Sequence, residues 1–136
     1  MDISVHDNFL VSYEVRCEQR EIRLHTEYRD KGEPFEHTDV IFTGVCAYHF
    51  IQDCFTNIIF DIDEISPETI YRDHRAEFEA GWRYGWPGDW GKTEEDANAY
   101  FREHGVHGYS LHSSCGMEGW ILGQKMEKFP RVSQAP

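Results

Sequence analysis

The chain has 136 residues, 40% of them hydrophobic and 15% aromatic, enough for one domain with a ring-rich core and far from the composition of a disordered chain. Its formal charge of −12, from 25 acidic against 13 basic side chains, argues against direct binding to nucleic acid or an anionic membrane, where clustered cations supply most of the affinity. A basic protein partner is the complementary expectation, and no apolar run is long enough to span a bilayer.

Met1 to His6 lacks the basic and apolar pattern of a secretion signal, and Cys17, Cys46, Cys54 and Cys115 form no CxxC pair. A cytosolic location with reduced thiols is therefore expected. Phe9 to Arg16 sets Phe9, Val11, Tyr13 and Val15 against Leu10, Ser12, Glu14 and Arg16, the period of a half-buried strand. Ile22, Leu24, Thr26 and Tyr28 repeat the pattern against Arg23, His25, Glu27 and Arg29, so a hairpin with one wet face is predicted.

Asp39 to Ile51 and Asn57 to Glu64 carry the highest density of β-branched and aromatic residues and are predicted to pair at the centre of the sheet, with Gly44 marking a kink or break. Phe60 is expected inside. Ser66-Pro67-Glu68 is a helix start: Ser can cap free N–H groups, Pro has none to waste, and Glu suits the positive end of the dipole. That helix is predicted from Pro67 to about Trp82, with Ile70, His74, Phe78 and Trp82 along its packing face.

Tyr84 to Gly91 is broken by Gly and Pro into a loop bearing large rings, and Thr93 to Asp96 then caps a second, shorter helix that ends at Gly105. Val106 to Ser113 and Trp120 to Phe129 read as two more strands, with Trp120, Leu122 and Met126 on one face and Pro130 to Pro136 as a frayed tail. The expected architecture is a single α+β domain, residues 1–136, with a mainly antiparallel sheet of about six strands in ββββααββ order and two helices on one side.

Residues 53–103 hold 13 acidic and 5 basic side chains, net −8, and the aromatic loop lies inside this segment. Complementary charge speeds encounter and buried rings anchor a complex, so Asp73, Glu77, Glu79, Trp86, Asp89, Trp90, Glu94, Glu95 and Asp96 are the candidate partner-binding residues. Trp90, beside Asp89, is the ring expected to reach outward.

Other chemistry is less supported. His104 and His107 straddle the predicted helix end, and His49 with Asp53, or Asp61 with Asp63, would add ligands only if folding gathered them; no metal or other cofactor is expected. Asp61, Asp63 and Glu64 sit at a strand end without a phosphate-cradling loop or basic clamp, which favours solvated edge charges. Cys115 has His107 and His112 nearby in sequence, yet a thiol in a hairpin turn is more economically incidental, and Cys46 and Cys54 read as small buried hydrophobes.

The combination Asp39-Val-x-Phe-x-Gly-Val-x-Ala-Tyr-His-Phe50, Asn57-Ile-Ile-Phe-Asp-Ile62, Tyr84-Gly-Trp-Pro87 and Gly119-Trp-Ile-Leu122 resembles small bacterial proteins of no assigned chemistry, themselves similar to toxin-immunity proteins in size and acidity. That resemblance implies a non-enzymatic inhibitor of a basic effector such as a toxin or nuclease, and no catalytic residue. The rival expectations are a small enzyme or ligand-binding domain with a pocket between helices and sheet, Asp61, Asp63 or His49 at its mouth, and a homodimer closed through the aromatic surface.

Overall fold

A computed structural model describes residues 3–131. Among them are eight strands, β1 (Phe9–Arg16), β2 (Glu21–Tyr28), β3 (Glu36–Thr43), β4 (Ala47–Ile51), β5 (Asn57–Ile65), β6 (His107–Cys115), β7 (Glu118–Gly123) and β8 (Lys125–Arg131). Between β5 and β6 lie three short helices, α1 (Pro67–Asp73), α2 (Arg75–Gly81) and α3 (Glu94–His104), with 3-10 turns at Trp82–Tyr84 and Asp89–Gly91. This corrects the expected six strands and two helices in ββββααββ order.

Each extra element arises from a break inside a run that reads as continuous. Gly44, at φ +62°, separates β3 from β4, and Gln124 separates β7 from β8. At His74 the backbone leaves the helical region (φ −114°, ψ 24°), which ends α1 and starts α2 where one helix to Trp82 was expected. Pro130 and Arg131 are not tail but pair with Thr38 and His37 in the last strand; residues 132–136 lie outside the described set.

The hydrogen-bonded order is β4-β7-β6-β5-β1-β2-β3-β8, antiparallel throughout. β3 stands seventh and β4 first, a separation of roughly 29 Å in a flat sheet at about 4.8 Å per strand. The link from Thr43 to Ala47 can reach only about 14 Å. The sheet is therefore rolled so that its two ends meet, and Gly44 and Gln124 are facing corners: Gln124 N–H donates to the Thr43 carbonyl and Cys46 N–H to the Leu122 carbonyl, each at 2.9 Å. The left-handed φ of Gly44 favours Gly at this corner, and a Cβ there would have to displace the exposed Gln124 side chain.

Rolling overturns the predicted pairing at the centre. β5 is central, between β6 and β1, but β4 pairs only with β7 and ends the order. It also divides the apolar residues into two clusters that share the β7 wall. Inside the roll pack Leu24, Val40, Phe42, Ile59, Leu111 and Ile121, with the Phe42 and Tyr109 rings edge to face at 5.4 Å. Outside it, Trp120 and Leu122 of β7 pack beneath Ile70, Tyr71, Phe78 and Phe101 of the helices. Met126, expected on the Trp120 face, lies against the inner cluster because the Gln124 corner intervenes.

Two bulges reset which side chains face inward. In β1 the pairing slips between Leu10 and Ser12, so Val11 is unpaired and 52% exposed, Leu10 is buried, and Phe9 turns out to lie 4.1 Å beneath the Arg29 guanidinium. In β5 the pairing slips around Phe60, which leaves that ring 52% exposed and places Ile59 and Ile62 inside. Phe60 is thus not a core residue. The first hairpin, the Ser66 cap and the Gly105 helix end form as predicted: Ser66 Oγ accepts from Thr69 N–H at 3.1 Å, and Gly105 takes φ +62°.

Candidate functional site

The candidate surface is the solvent side of the helical layer. Thr93 caps α3 by accepting from Asp96 N–H at 3.1 Å, which places Glu94, Glu95 and Asp96 in the first turn at the positive end of the helix dipole. α1 packs against α3, and cations from α1 and from the start of α2 reach Glu94: Arg72 Nε lies 3.6 Å from Oε1 and Arg75 Nη1 3.7 Å from Oε2. Arg75 also reaches Glu79, at 3.3 Å, and Lys92 lies 3.6 Å from Asp89. Asp73, Glu95 and Asp96 are exposed and belong to no ion pair among the described residues.

Glu77 is separated from this set and turned toward the sheet. Its carboxylate lies 3.5 Å from His49 Nδ1 on β4 and 3.3 Å from His74 Nδ1 at the helix break, and it accepts from the Trp120 indole N–H at 3.2 Å. Both imidazoles lie beside the Trp120 ring, with centroids 6.2 and 5.7 Å away. Only the His74–Glu77 spacing of three residues, within a predicted helix, pointed to this cluster; His49 and Trp120 arrive from distant strands.

The rings of the loop divide differently from expectation. Trp86 lies 5.0 Å from Phe78 and 6.0 Å from Trp120, while Trp90 stacks on Tyr100 at 4.8 Å and meets Phe101 at 5.5 Å. The Trp82 indole and the Tyr71 hydroxyl both donate to the Gly91 carbonyl, at 2.7 and 2.9 Å, which pins the loop to the layer beneath it. Tyr84, a loop ring outside the candidate partner-binding set, is 86% exposed and is the ring presented to solvent.

The other candidates do not converge. His49 is beside Glu77, whereas Asp53 accepts from the Tyr13 hydroxyl at 2.8 Å. Asp61 accepts from Ile62 N–H, Glu64 pairs with His107 at 3.5 Å, and His112 bonds Ser110. Among the described residues no group of three His, Cys, Asp or Glu could hold a metal ion. Cys54 is exposed, not buried, and the Cys115 thiol donates to the Thr56 carbonyl instead of to an imidazole. Cys46 is largely buried, and desolvation pushes its thiol up to about 12, too high for a nucleophile at neutral pH.

Trp120, Phe78 and Tyr71 pack in the space between helices and sheet, and a cleft of about 260 Å³ opens at its rim, lined by Val15, Arg20, Cys46, Tyr48 and Trp86 among others. No described helix is long and apolar enough to cross a membrane. Comparison of the chain with models of known families, with curated proteins and with solved structures found no match.

Proposed function

We propose that the chain is a non-enzymatic, cytosolic interaction domain, an immunity-type inhibitor whose helical layer docks on a basic effector protein. The observation that carries this reading is the set of exposed carboxylates that pair with no cation among the described residues, Asp73, Glu95 and Asp96, on the layer whose loop presents Tyr84. Unpaired charge steers a basic partner over long range, and an exposed tyrosine brings contact area at little entropic cost. Glu79, Glu94 and Asp89 contribute less, since Arg75, Arg72 and Lys92 already screen them.

The test is capture of a partner from the native host, followed by binding kinetics at two salt concentrations. Reversing Glu95 and Asp96 to Lys is expected to slow association and flatten its salt dependence. Failure to recover a basic partner, or binding indifferent to that double reversal, removes the reading. The rim cleft supports a second reading, binding of a small molecule against Trp86 and Tyr48 beside Arg20. Quenching of Trp86 fluorescence by such a ligand, absent in Trp86→Phe, would favour it.

A further inference from the structure

The β4–β5 loop and the β6–β7 turn are held together by Asn57, a buried side chain with three well-formed bonds. Its Oδ1 accepts from Met117 N–H at 2.8 Å and from Cys54 N–H at 3.2 Å, and its Nδ2 donates to the Cys54 carbonyl at 2.8 Å. Over this junction two thiols share one acceptor: Cys54 Sγ donates to the Thr56 carbonyl at 3.0 Å and Cys115 Sγ to the same oxygen at 3.4 Å. The sulfurs are therefore no further apart than those two distances laid end to end. Both residues are exposed, and Gly116 leaves room for Asn57 and Cys54, since a Cβ there would collide with Asn57 Oδ1 and come to 3.0 Å from Cys54 Sγ.

A disulfide needs an S–S separation of about 2.05 Å between Cα atoms roughly 4.4–6.8 Å apart. Here the Asn57 bonds tie the Cys54 backbone to that of Met117, two residues from Cys115, and the shared Thr56 carbonyl bounds the gap that rotation of the two exposed side chains has to close. The other thiols lack this arrangement: Cys46 is half-buried, with its S–H directed at the Leu122 carbonyl, and Cys17 lies on the β1–β2 turn.

We propose that Cys54 and Cys115 form an oxidative modification site, a thiol pair that a peroxide converts to an intramolecular disulfide. One thiolate attacks a peroxide oxygen, the O–O bond breaks, and a sulfenic acid forms as hydroxide leaves. The other thiolate attacks that sulfur, the S–S bond forms and the S–O bond breaks, releasing a second hydroxide. The two thiol protons turn both hydroxides into water, so two thiols are oxidised while one hydrogen peroxide is reduced to two waters. The bridge clamps the loop that carries Phe55, whose ring stands fully in solvent.

The experiment treats the fully reduced chain with stoichiometric hydrogen peroxide, then measures intact mass, thiols titrated after denaturation and a non-reduced peptide map. The expected result is loss of two hydrogen atoms, a fall from four titratable thiols to two, and one linked peptide pair containing Cys54 and Cys115, all reversed by dithiothreitol. Cys54→Ser and Cys115→Ser should each leave a sulfenic acid on the remaining thiol, trapped by dimedone. If either variant fails to fold, the peptide map of the unaltered chain still decides. A bridge through Cys17, a bridge between chains, or Cys54 and Cys115 both recovered reduced would overturn the proposal.

Discussion

The Trp120 indole N–H donates to the Glu77 carboxylate at 3.2 Å, a bond across 43 residues that ties β7 to α2 beneath the helical layer. With His49 and His74 on the same carboxylate, Glu77 is a structural joint between sheet and helices. Glu77→Ala leaves the buried indole N–H without an acceptor and is expected to cost about 1–3 kcal/mol in urea unfolding. Glu77→Gln, which keeps an acceptor oxygen, should cost less.

Two phenylalanines separate the core from the surface. Phe78 is fully buried and stacks on Trp120 at 5.5 Å, so Phe78→Ala should lose about 3–5 kcal/mol. Phe60 stands on a bulge, half in water, and Phe60→Ala should cost about 1 kcal/mol or less. Paired thermal melts read the difference directly.

Trp90 and Tyr84 should part in the same way, one between stability and binding. Trp90→Ala removes a ring packed on Tyr100, Phe101 and Phe78, and a clear fall in unfolding free energy of about 2–4 kcal/mol is expected. Tyr84→Ala should leave the melt within about 0.5 kcal/mol of the unaltered chain while speeding dissociation from a captured partner. An unaffected dissociation rate would remove Tyr84 from the interface.

Acid sensitivity should include a contribution from Glu21. The bond from Arg23 at 2.9 Å, aided by Arg16 at 3.2 Å, holds the Glu21 carboxyl below the ordinary carboxylate range. A depressed folded-state pKa stabilises the fold above the unfolded-state value, and that stabilisation is lost as pH falls through the folded-state value. Arg23→Met should therefore lower stability at neutral pH, with the gap to the unaltered chain narrowing in acid. Urea midpoints measured across that range provide the check.

The chemistry of single residues and their near neighbours was enough to predict the first hairpin, the caps at Ser66 and Thr93, the helix end at Gly105 and the apolar run that became β3 and β4. Alternation, capping and left-handed glycines act over a few residues, and sequence spacing carries them in full. Sequence also marked Gly44 as a break, without showing that the chain would turn there into the other end of the sheet. What tertiary structure alone decided is longer in range. The meeting of Gly44 with Gln124 closes the roll and sends β4 to the end of the order, away from β5. Bulges at Val11 and Phe60 exchange the inner and outer faces, because an added residue reverses a period of two and the partner strand determines where it falls. The acidic set divides for the same reason. Glu94 is paired with Arg72 of α1 and Arg75 of α2, and Glu77 is drawn to Trp120, since charges and indoles find partners by distance in space, which linear spacing does not encode.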